Sequence, residues 1–112
     1  MVNEIPEAGD IIWLSIGPKK GTEQDGFRPV LVMSDVDFNG LTGRVTGLPI
    51  TSKVRGWETE IPVGSLKVPS VALSDQITTL DYRARGFKSH NERASENELA
   101  AARYAIRTIL SL

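Results

Sequence analysis

The chain has 112 residues, of which 40% are hydrophobic and 24% charged, and these values fit one globular domain spanning residues 1–112. The absence of cysteine excludes disulfides, thiolate metal sites and cysteine nucleophiles. With 13 basic and 14 acidic side chains the formal net charge is −1, so this is not a globally basic nucleic-acid binder. The single histidine, His90, excludes a histidine-pair ribonuclease and a multi-histidine metal site. Any chemistry must therefore come from carboxylates, hydroxyls and guanidinium groups.

The N-terminus carries no pattern of a targeting signal. Residues 1–6 lack a basic stretch followed by an apolar run. No window approaches the ~18 apolar residues that a membrane span needs. We expect a cytoplasmic protein with no membrane partner.

The chain up to residue 82 has the short apolar runs and turn residues of a β protein. Asp10–Ile16 predicts a first strand, in which alternate side chains face opposite sides of a sheet. A charged, glycine-rich loop over residues 17–26 follows it. Arg28–Ser34 is almost continuously apolar, which indicates a strand buried on both faces.

The middle of the chain predicts further strands separated by turns. Asp35–Gly43 contains the pair Asn39-Gly40, which is typical of a turn. Arg44–Ile50 indicates the next strand, with a break at Gly47. Shorter strands are predicted at Glu58–Val63, at Val68–Ile77 with a bend at Ser74-Asp75-Gln76, and at Thr78–Tyr82.

The end of the chain changes to a helical pattern. Ser95 and Glu98 have the spacing of a capping box, and apolar residues recur at helical intervals after them. We therefore predict a helix over residues 96–110. Many short strands followed by one amphipathic helix predict a mainly β fold, a small barrel-like sheet with a C-terminal helix packed on it.

Three segments place polar side chains beside glycines or at the ends of predicted strands. They are Gly21–Pro29 (GTEQDGFRP), Leu48–Lys53 (LPITSK) and the pair Leu73–Gln76 (LSDQ) and Asp81–Gly86 (DYRARG). In combination they resemble the MazF/PemK-type toxins of bacterial type II toxin–antitoxin systems, and the resemblance covers nearly the whole chain. It implies a small SH3-like barrel of the CcdB/Kid/MazF-like toxin fold and a homodimer. It also implies sequence-specific cleavage of single-stranded RNA with no metal and no cofactor.

RNA cleavage without a metal needs a general base for the 2′-hydroxyl, a group that stabilises the phosphorane charge, and an acid for the leaving 5′-oxygen. By resemblance Glu23 is the general base and Arg28 clamps the scissile phosphate. Thr51 offers it a hydroxyl and a backbone N–H. An arginine stays charged in proteins, so an electrostatic role for Arg28 is favoured over proton donation. The expected products are a 2′,3′-cyclic phosphate, or a 3′-phosphate, and a 5′-hydroxyl.

Further residues are expected to contact the RNA. Trp57, in a polar turn, is a candidate for stacking on a nucleobase, whereas Trp13 is expected in the core or a dimer interface. Asp75 is a second candidate for the general base or a group that reads a nucleobase, and His90 is expected to be an exposed bystander. The substrate-binding set is Ser52, Lys53, Trp57, Asp75, Gln76, Arg83 and Arg85.

The charge distribution supports a basic groove despite the net charge. Residues 1–40 carry three basic and seven acidic side chains, whereas residues 41–57 carry three basic and no acidic ones. We expect the basic loops to hold the RNA backbone. The resemblance implies a MazE-like antitoxin whose acidic tail covers this groove and displaces the Glu23 loop. DNA is then contacted only indirectly, through the antitoxin complex.

Two other interpretations of the sequence stay open. The first is a non-catalytic toxin that binds DNA gyrase, as CcdB does; the absence of an aromatic residue after Tyr104 counts against it. The second is an SH3-like RNA-binding module without catalysis.

Overall fold

The computed structural model describes residues 4–15 and 26–112. Within them the chain folds as one antiparallel sheet of seven strands with three helices. The elements are β1 (Asp10–Ser15), β2 (Phe27–Val32), α1 (Val36–Thr42), β3 (Arg44–Thr51), β4 (Glu60–Val63), β5 (Ser70–Leu73), a 3-10 turn (Ser74–Gln76), β6 (Thr78–Asp81), α2 (Tyr82–Arg85), β7 (Phe87–Arg93) and α3 (Glu96–Leu110). None of the helices in this part of the chain is long and apolar enough to span a membrane.

The strand order is β4-β5-β3-β2-β1-β7, with β6 paired to β3 outside this path. Residues 44–47 of β3 pair with β6, residues 47–49 pair with β2, and its last two residues, Ile50 and Thr51, pair with β5. The predicted break at Gly47 is wrong, because β3 runs through it. A Cβ at Gly47 would lie 2.5 Å from the Leu31 carbonyl oxygen. The glycine therefore allows close approach of β2 rather than a turn.

The core divides into two clusters, one on each face of the sheet. Ile11 and Leu31 belong to the first cluster, which packs under α3 through Ala102. Ile12 and Val30 belong to the second, which Tyr82 closes. This confirms the predicted burial of β2 on both faces and the alternation of β1 side chains between the two faces. The C-terminal end of α3 extends beyond the core, and Leu110 is 49% exposed there.

The predicted turn at Asn39-Gly40 is wrong, because both residues lie inside α1. The side chain of Asp35 accepts a hydrogen bond from the Asp37 N–H and caps the helix. Gly43 ends the helix in the left-handed conformation. Asn39 is fully buried. It serves as a packed helical residue rather than as the corner of a hairpin.

At the C-terminal end of the chain the structure agrees with the sequence prediction more closely than it does in the preceding segment. The helix over residues 96–110 is confirmed, and Ser95 and Glu98 form both hydrogen bonds of the capping box. The strand predicted over residues 68–77 is shorter, because a 3-10 turn replaces its last part. The sequence pattern did not predict α2 and β7.

Candidate active site

Two cavities, with volumes of about 750 and about 400 Å³, meet where β2 begins and β3 ends. Arg28, Ile50 and Thr51 line both of them. The strands are antiparallel, and Val30 pairs with Pro49. Arg28 and Thr51 each lie two residues beyond this pair, on the same side of it. The fold thus brings together two of the three predicted catalytic residues, whereas Glu23 lies outside the described residues.

Arg28 is exposed near the start of β2, an interior strand of the sheet, and its Nη1 donates a hydrogen bond to the Phe27 carbonyl oxygen at 3.1 Å. The ammonium of Lys88 lies 4.3 Å from the centre of the Phe27 ring, which places a second positive charge beside this strand end. Lys67 lines the larger cavity as well. The cationic side chains make the strand end suited to an anionic group such as a phosphate.

Thr51 is held by the backbone that follows it. Its Oγ1 accepts a hydrogen bond from the Lys53 N–H at 3.1 Å. Because this bond uses a lone pair, the hydroxyl proton stays available for an acceptor such as a phosphate oxygen. Ser52 is exposed and lines the larger cavity beside Thr51.

A buried carboxylate fixes the segment that leads away from Thr51. Glu60 is only 8% exposed, and its oxygens accept hydrogen bonds from the backbone N–H groups of Arg55 and Gly56. Trp57 is 55% exposed, and the Arg55 guanidinium lies 5.3 Å from its ring centre. Glu60 therefore orders a loop that presents the predicted stacking residue to solvent. The sequence pattern did not predict this structural role of Glu60.

The larger cavity is also lined by an aromatic group that the sequence did not predict as part of the site. Trp13 is half-buried, and its indole N–H donates a hydrogen bond to Glu92 Oε1 at 2.8 Å. His90 is exposed as expected, yet it lines the cavity and its ring centre lies 5.8 Å from that of Trp13. His90 and Glu92 were missed because β7 was not predicted. Its mostly exposed residues show no alternation.

The remaining predicted residues lie at different distances from the two cavities. Gln76 lines the smaller cavity. Asp75, exposed beside it in the 3-10 turn, lines neither cavity, and the same is true of Lys53 and Trp57.

Arg83 and Arg85 also lie outside the lining of both cavities. Arg83 Nη2 donates to the Gly40 carbonyl oxygen at 2.8 Å, and its guanidinium lies 5.7 Å from the Tyr82 ring centre. Arg85 Nη1 donates to the Ser15 carbonyl oxygen at 2.9 Å. Both arginines thus contact the ends of other elements, and their predicted contact with RNA stays a prediction. Within residues 4–15 and 26–112, no group of three or more His, Asp or Glu side chains is arranged to hold a metal ion.

Known protein sequences resemble this chain over most of its length. The family described as "PemK-like, MazF-like toxin of type II toxin-antitoxin system" matches residues 7–110. The endoribonuclease toxin MazF of Escherichia coli (strain K12) is 38% identical over 82 residues, which cover 73% of this chain and 74% of that protein. The endoribonuclease PemK of Escherichia coli is 32% identical over 110 residues, covering 94% of this chain and 82% of that protein.

Solved structures show the same fold. MazF from Deinococcus radiodurans (Form-I) is 34% identical, with a TM-score of 0.84, and the match covers 98% of this chain and 100% of that one. A MazE-MazF structure from the same organism (Form-II) gives a TM-score of 0.87 at 34% identity, covering 98% and 99% of the two chains. The predicted mainly β fold with a C-terminal helix is therefore confirmed as CcdB/MazF-like. The chain belongs to the PemK-like, MazF-like toxins of type II toxin–antitoxin systems.

Proposed function

We propose that this chain is the toxin of a type II toxin–antitoxin system and cleaves single-stranded RNA as a sequence-specific, metal-independent endoribonuclease. The proposal rests on one observation: Arg28 and Thr51 both line the same two adjoining cavities. Its relatives MazF and PemK, at 38% and 32% identity, are endoribonucleases by name. A guanidinium and a hydroxyl at one strand end are the groups that a charged phosphorane requires.

The proposed reaction is an attack by the 2′-oxygen of the RNA on the adjacent phosphorus. Glu23 accepts the 2′-hydroxyl proton, while Arg28 and the Thr51 hydroxyl stabilise the charge on the non-bridging oxygens. The bond from phosphorus to the 5′-oxygen then breaks, and that oxygen takes up a proton. The products are a 2′,3′-cyclic phosphate, which hydrolysis opens to a 3′-phosphate, and a 5′-hydroxyl.

The surroundings of the strand end support binding of an extended RNA. Ser52 and Gln76 line the two cavities, and Lys67 adds positive charge to the larger one. Nucleotides further along the RNA would reach residues outside the cavities, where bases stack on exposed aromatic side chains and phosphates meet cations. The proposed outer contacts are Lys53, Trp57, Asp75, Arg83 and Arg85.

The proposed partners are a second copy of this chain and a MazE-like antitoxin. Solved MazE-MazF structures from Deinococcus radiodurans match this chain with TM-scores of 0.83 to 0.87. An acidic antitoxin tail would compete with RNA for the cationic side chains around Arg28. The antitoxin supplies any contact with DNA, and the toxin acts in the cytoplasm, where its RNA substrate is found.

The decisive experiment is digestion of a defined RNA pool by the purified protein in EDTA, with mapping of the new ends. We expect cuts at a short shared motif, with 5′-hydroxyl ends and 2′,3′-cyclic or 3′-phosphates. A requirement for Mg²⁺ or the appearance of 5′-phosphate ends would contradict the mechanism. RNA binding without any cut over hours would favour the non-catalytic module instead.

A variant of the proposed general base tests the assignment of Glu23. We expect Glu23→Gln to lower the cleavage rate at least ~100-fold, because an amide cannot accept the 2′-hydroxyl proton. Glu96→Gln is the matched control, since Glu96 is an exposed carboxylate at the start of α3 and lines neither cavity. Equal rates in the two variants would remove Glu23 from the mechanism.

A further inference from the structure

The pairing of β7 with β1 is interrupted beside the larger cavity. Residues 11 and 12 of β1 pair with residues 92 and 89 of β7, so His90 and Asn91 have no partner in the ladder. Asn91 adopts φ 60°, in the left-handed region that asparagine enters more readily than most residues. Bulges of this kind redirect side chains and concentrate next to functional sites. We therefore ask which side chains the interruption places in the cavity.

The bulge places His90 against Trp13. Their rings meet edge to face, with centres 5.8 Å apart and planes at 72°. Glu92 fixes the indole by accepting its N–H at 2.8 Å. We call Trp13, His90 and Glu92 the Trp13 wall. All three line the cavity that also holds Arg28 and Thr51.

We propose that the Trp13 wall binds one nucleobase of the RNA beside the scissile phosphate and sets part of the sequence preference. This inference rests on the proposed ribonuclease function. The rings of Trp13 and His90 provide aromatic surface on which an unpaired base stacks. The cavity volume of about 750 Å³ lies in the range typical of small-ligand sites.

Glu92 indicates which bases the Trp13 wall prefers. Oε1 accepts the Trp13 N–H, while Oε2 has no hydrogen-bond partner among the described residues and is not buried. A carboxylate oxygen accepts a hydrogen bond from an exocyclic amino group such as adenine N6 or cytosine N4. The same negative charge disfavours an acidic peptide tail at this wall. We therefore expect a preference for adenine or cytosine over uracil at one position next to the cut.

A Glu92→Gln variant tests this preference directly. The amide oxygen can still accept the Trp13 N–H, and the amide NH₂ then takes the place of Oε2, so an acceptor becomes a donor. Digestion of a randomised RNA pool should show the preference at one position moving from adenine or cytosine to uracil or guanine. Glu96→Gln, with the same chemical change on α3, should cut the wild-type motif.

Stacking is tested by binding rather than by cleavage. The chain has two tryptophans, so Trp57→Phe leaves Trp13 as the single reporter. Titration with an RNA oligonucleotide whose 2′-hydroxyls are methylated should quench its fluorescence without cleavage. Adding His90→Ala should weaken this binding about tenfold, the size of one lost stacking contact. Asn97→Ala, an exposed neutral change on α3, should leave the affinity unchanged.

The outcomes separate the wall from the proposed function. If the wild type cuts RNA, and both His90→Ala and Glu92→Gln keep its motif and affinity, the Trp13 wall is overturned and the ribonuclease stands. If His90→Ala and Glu92→Gln change the affinity for an antitoxin but not for RNA, the proposal that the Trp13 wall binds a nucleobase is overturned as well. If the wild type does not cut, the ribonuclease is contradicted. The Trp13 titration then tests only base binding by the Trp13 wall. Quenching that His90→Ala weakens supports base binding, whereas no quenching, or quenching that His90→Ala leaves unchanged, overturns it.

Discussion

Arginine side chains serve two regions of this molecule in different ways. Arg28 lies at the start of β2 and lines both cavities. Arg83 and Arg85 instead donate to the backbone carbonyl oxygens of Gly40 and Ser15. In the sequence all three lie close to glycines in polar motifs. The difference shows that a motif places an arginine near a site, whereas the fold decides what its guanidinium contacts.

The second region can be defined as the α1 clamp, made of Asn39, Tyr82 and Arg83. The Asn39 side-chain amide donates to the Pro6 carbonyl oxygen at 2.8 Å, and the backbone carbonyl oxygen of Asn39 accepts from the Tyr82 hydroxyl at 3.0 Å. The clamp fastens α1 to α2 and to the N-terminal segment. We expect it to control stability, while the strand end with Arg28 and Thr51 controls chemistry. Substitutions in one region should therefore change stability, and substitutions in the other should change cleavage.

The largest expected effect is on cleavage in Arg28→Ala. Loss of one preorganised charge at the phosphorane lowers catalytic rates by about 10²- to 10³-fold. Because Arg28 is exposed, the free energy of unfolding should change by no more than ~1 kcal/mol. Single-turnover cleavage and urea unfolding of the same preparation measure the two quantities.

The control for Arg28→Ala is Arg103→Ala, which removes an exposed arginine from α3 outside both cavities. This variant should cleave RNA within about threefold of the wild type, because exposed substitutions away from a site are usually near neutral. A similar loss of cleavage in both variants would mean that net charge, and not the position of Arg28, sets the rate. The contrast between the two regions would then fail.

The next effect is on stability in Asn39→Ala. The substitution leaves the buried Pro6 carbonyl oxygen without the amide donor it has at 2.8 Å, and it opens a small cavity. We expect the free energy of unfolding to fall by about 3 kcal/mol. Urea unfolding at one fixed protein concentration measures it, since the stability of the proposed dimer would depend on concentration. The exposed Asn97→Ala is the matched control. A loss below ~1 kcal/mol would contradict the clamp.

Local signals explain which parts of the fold could be predicted. The capping box of Ser95 and Glu98 acts within one helical turn, so the sequence pattern alone locates α3. Alternation in β1 likewise reports the two faces of the sheet. The motif resemblance predicts Arg28 and Thr51 as catalytic residues. Their position at the same two cavities follows only from the antiparallel pairing of β2 with β3.

Distant contacts explain the misses. Asn39-Gly40 has the composition of a turn, but the Asn39 side chain donates to the Pro6 carbonyl oxygen, 33 residues away, and the Asn39 backbone carbonyl oxygen accepts from Tyr82, 43 residues away. Tertiary hydrogen bonds therefore override a local preference for a turn. Strand β7 has no alternating pattern because most of its side chains are exposed. It is a strand because β1 supplies its backbone partners, and so His90 and Glu92 could not be placed from the sequence.

The smallest expected effect distinguishes the two roles assigned to Arg83. As part of the α1 clamp, Arg83 donates one hydrogen bond to the Gly40 carbonyl oxygen at 2.8 Å. We expect Arg83→Ala to lower the free energy of unfolding by about 1 kcal/mol. If Arg83 also contacts an RNA phosphate, KM for RNA should rise in Arg83→Ala, and Arg83→Lys should restore it by keeping the charge.

Arg83→Lys separates these contributions because a lysine keeps the charge but lacks the planar fork that reaches Gly40 from α2. We expect both Arg83 variants to lose stability, as measured by urea unfolding. A rise in KM that lysine reverses would place Arg83 in the RNA path as well, and the two regions would then share a residue. A rise in KM with no change in unfolding would contradict the clamp at Arg83, since the bond to Gly40 would then contribute nothing to the fold.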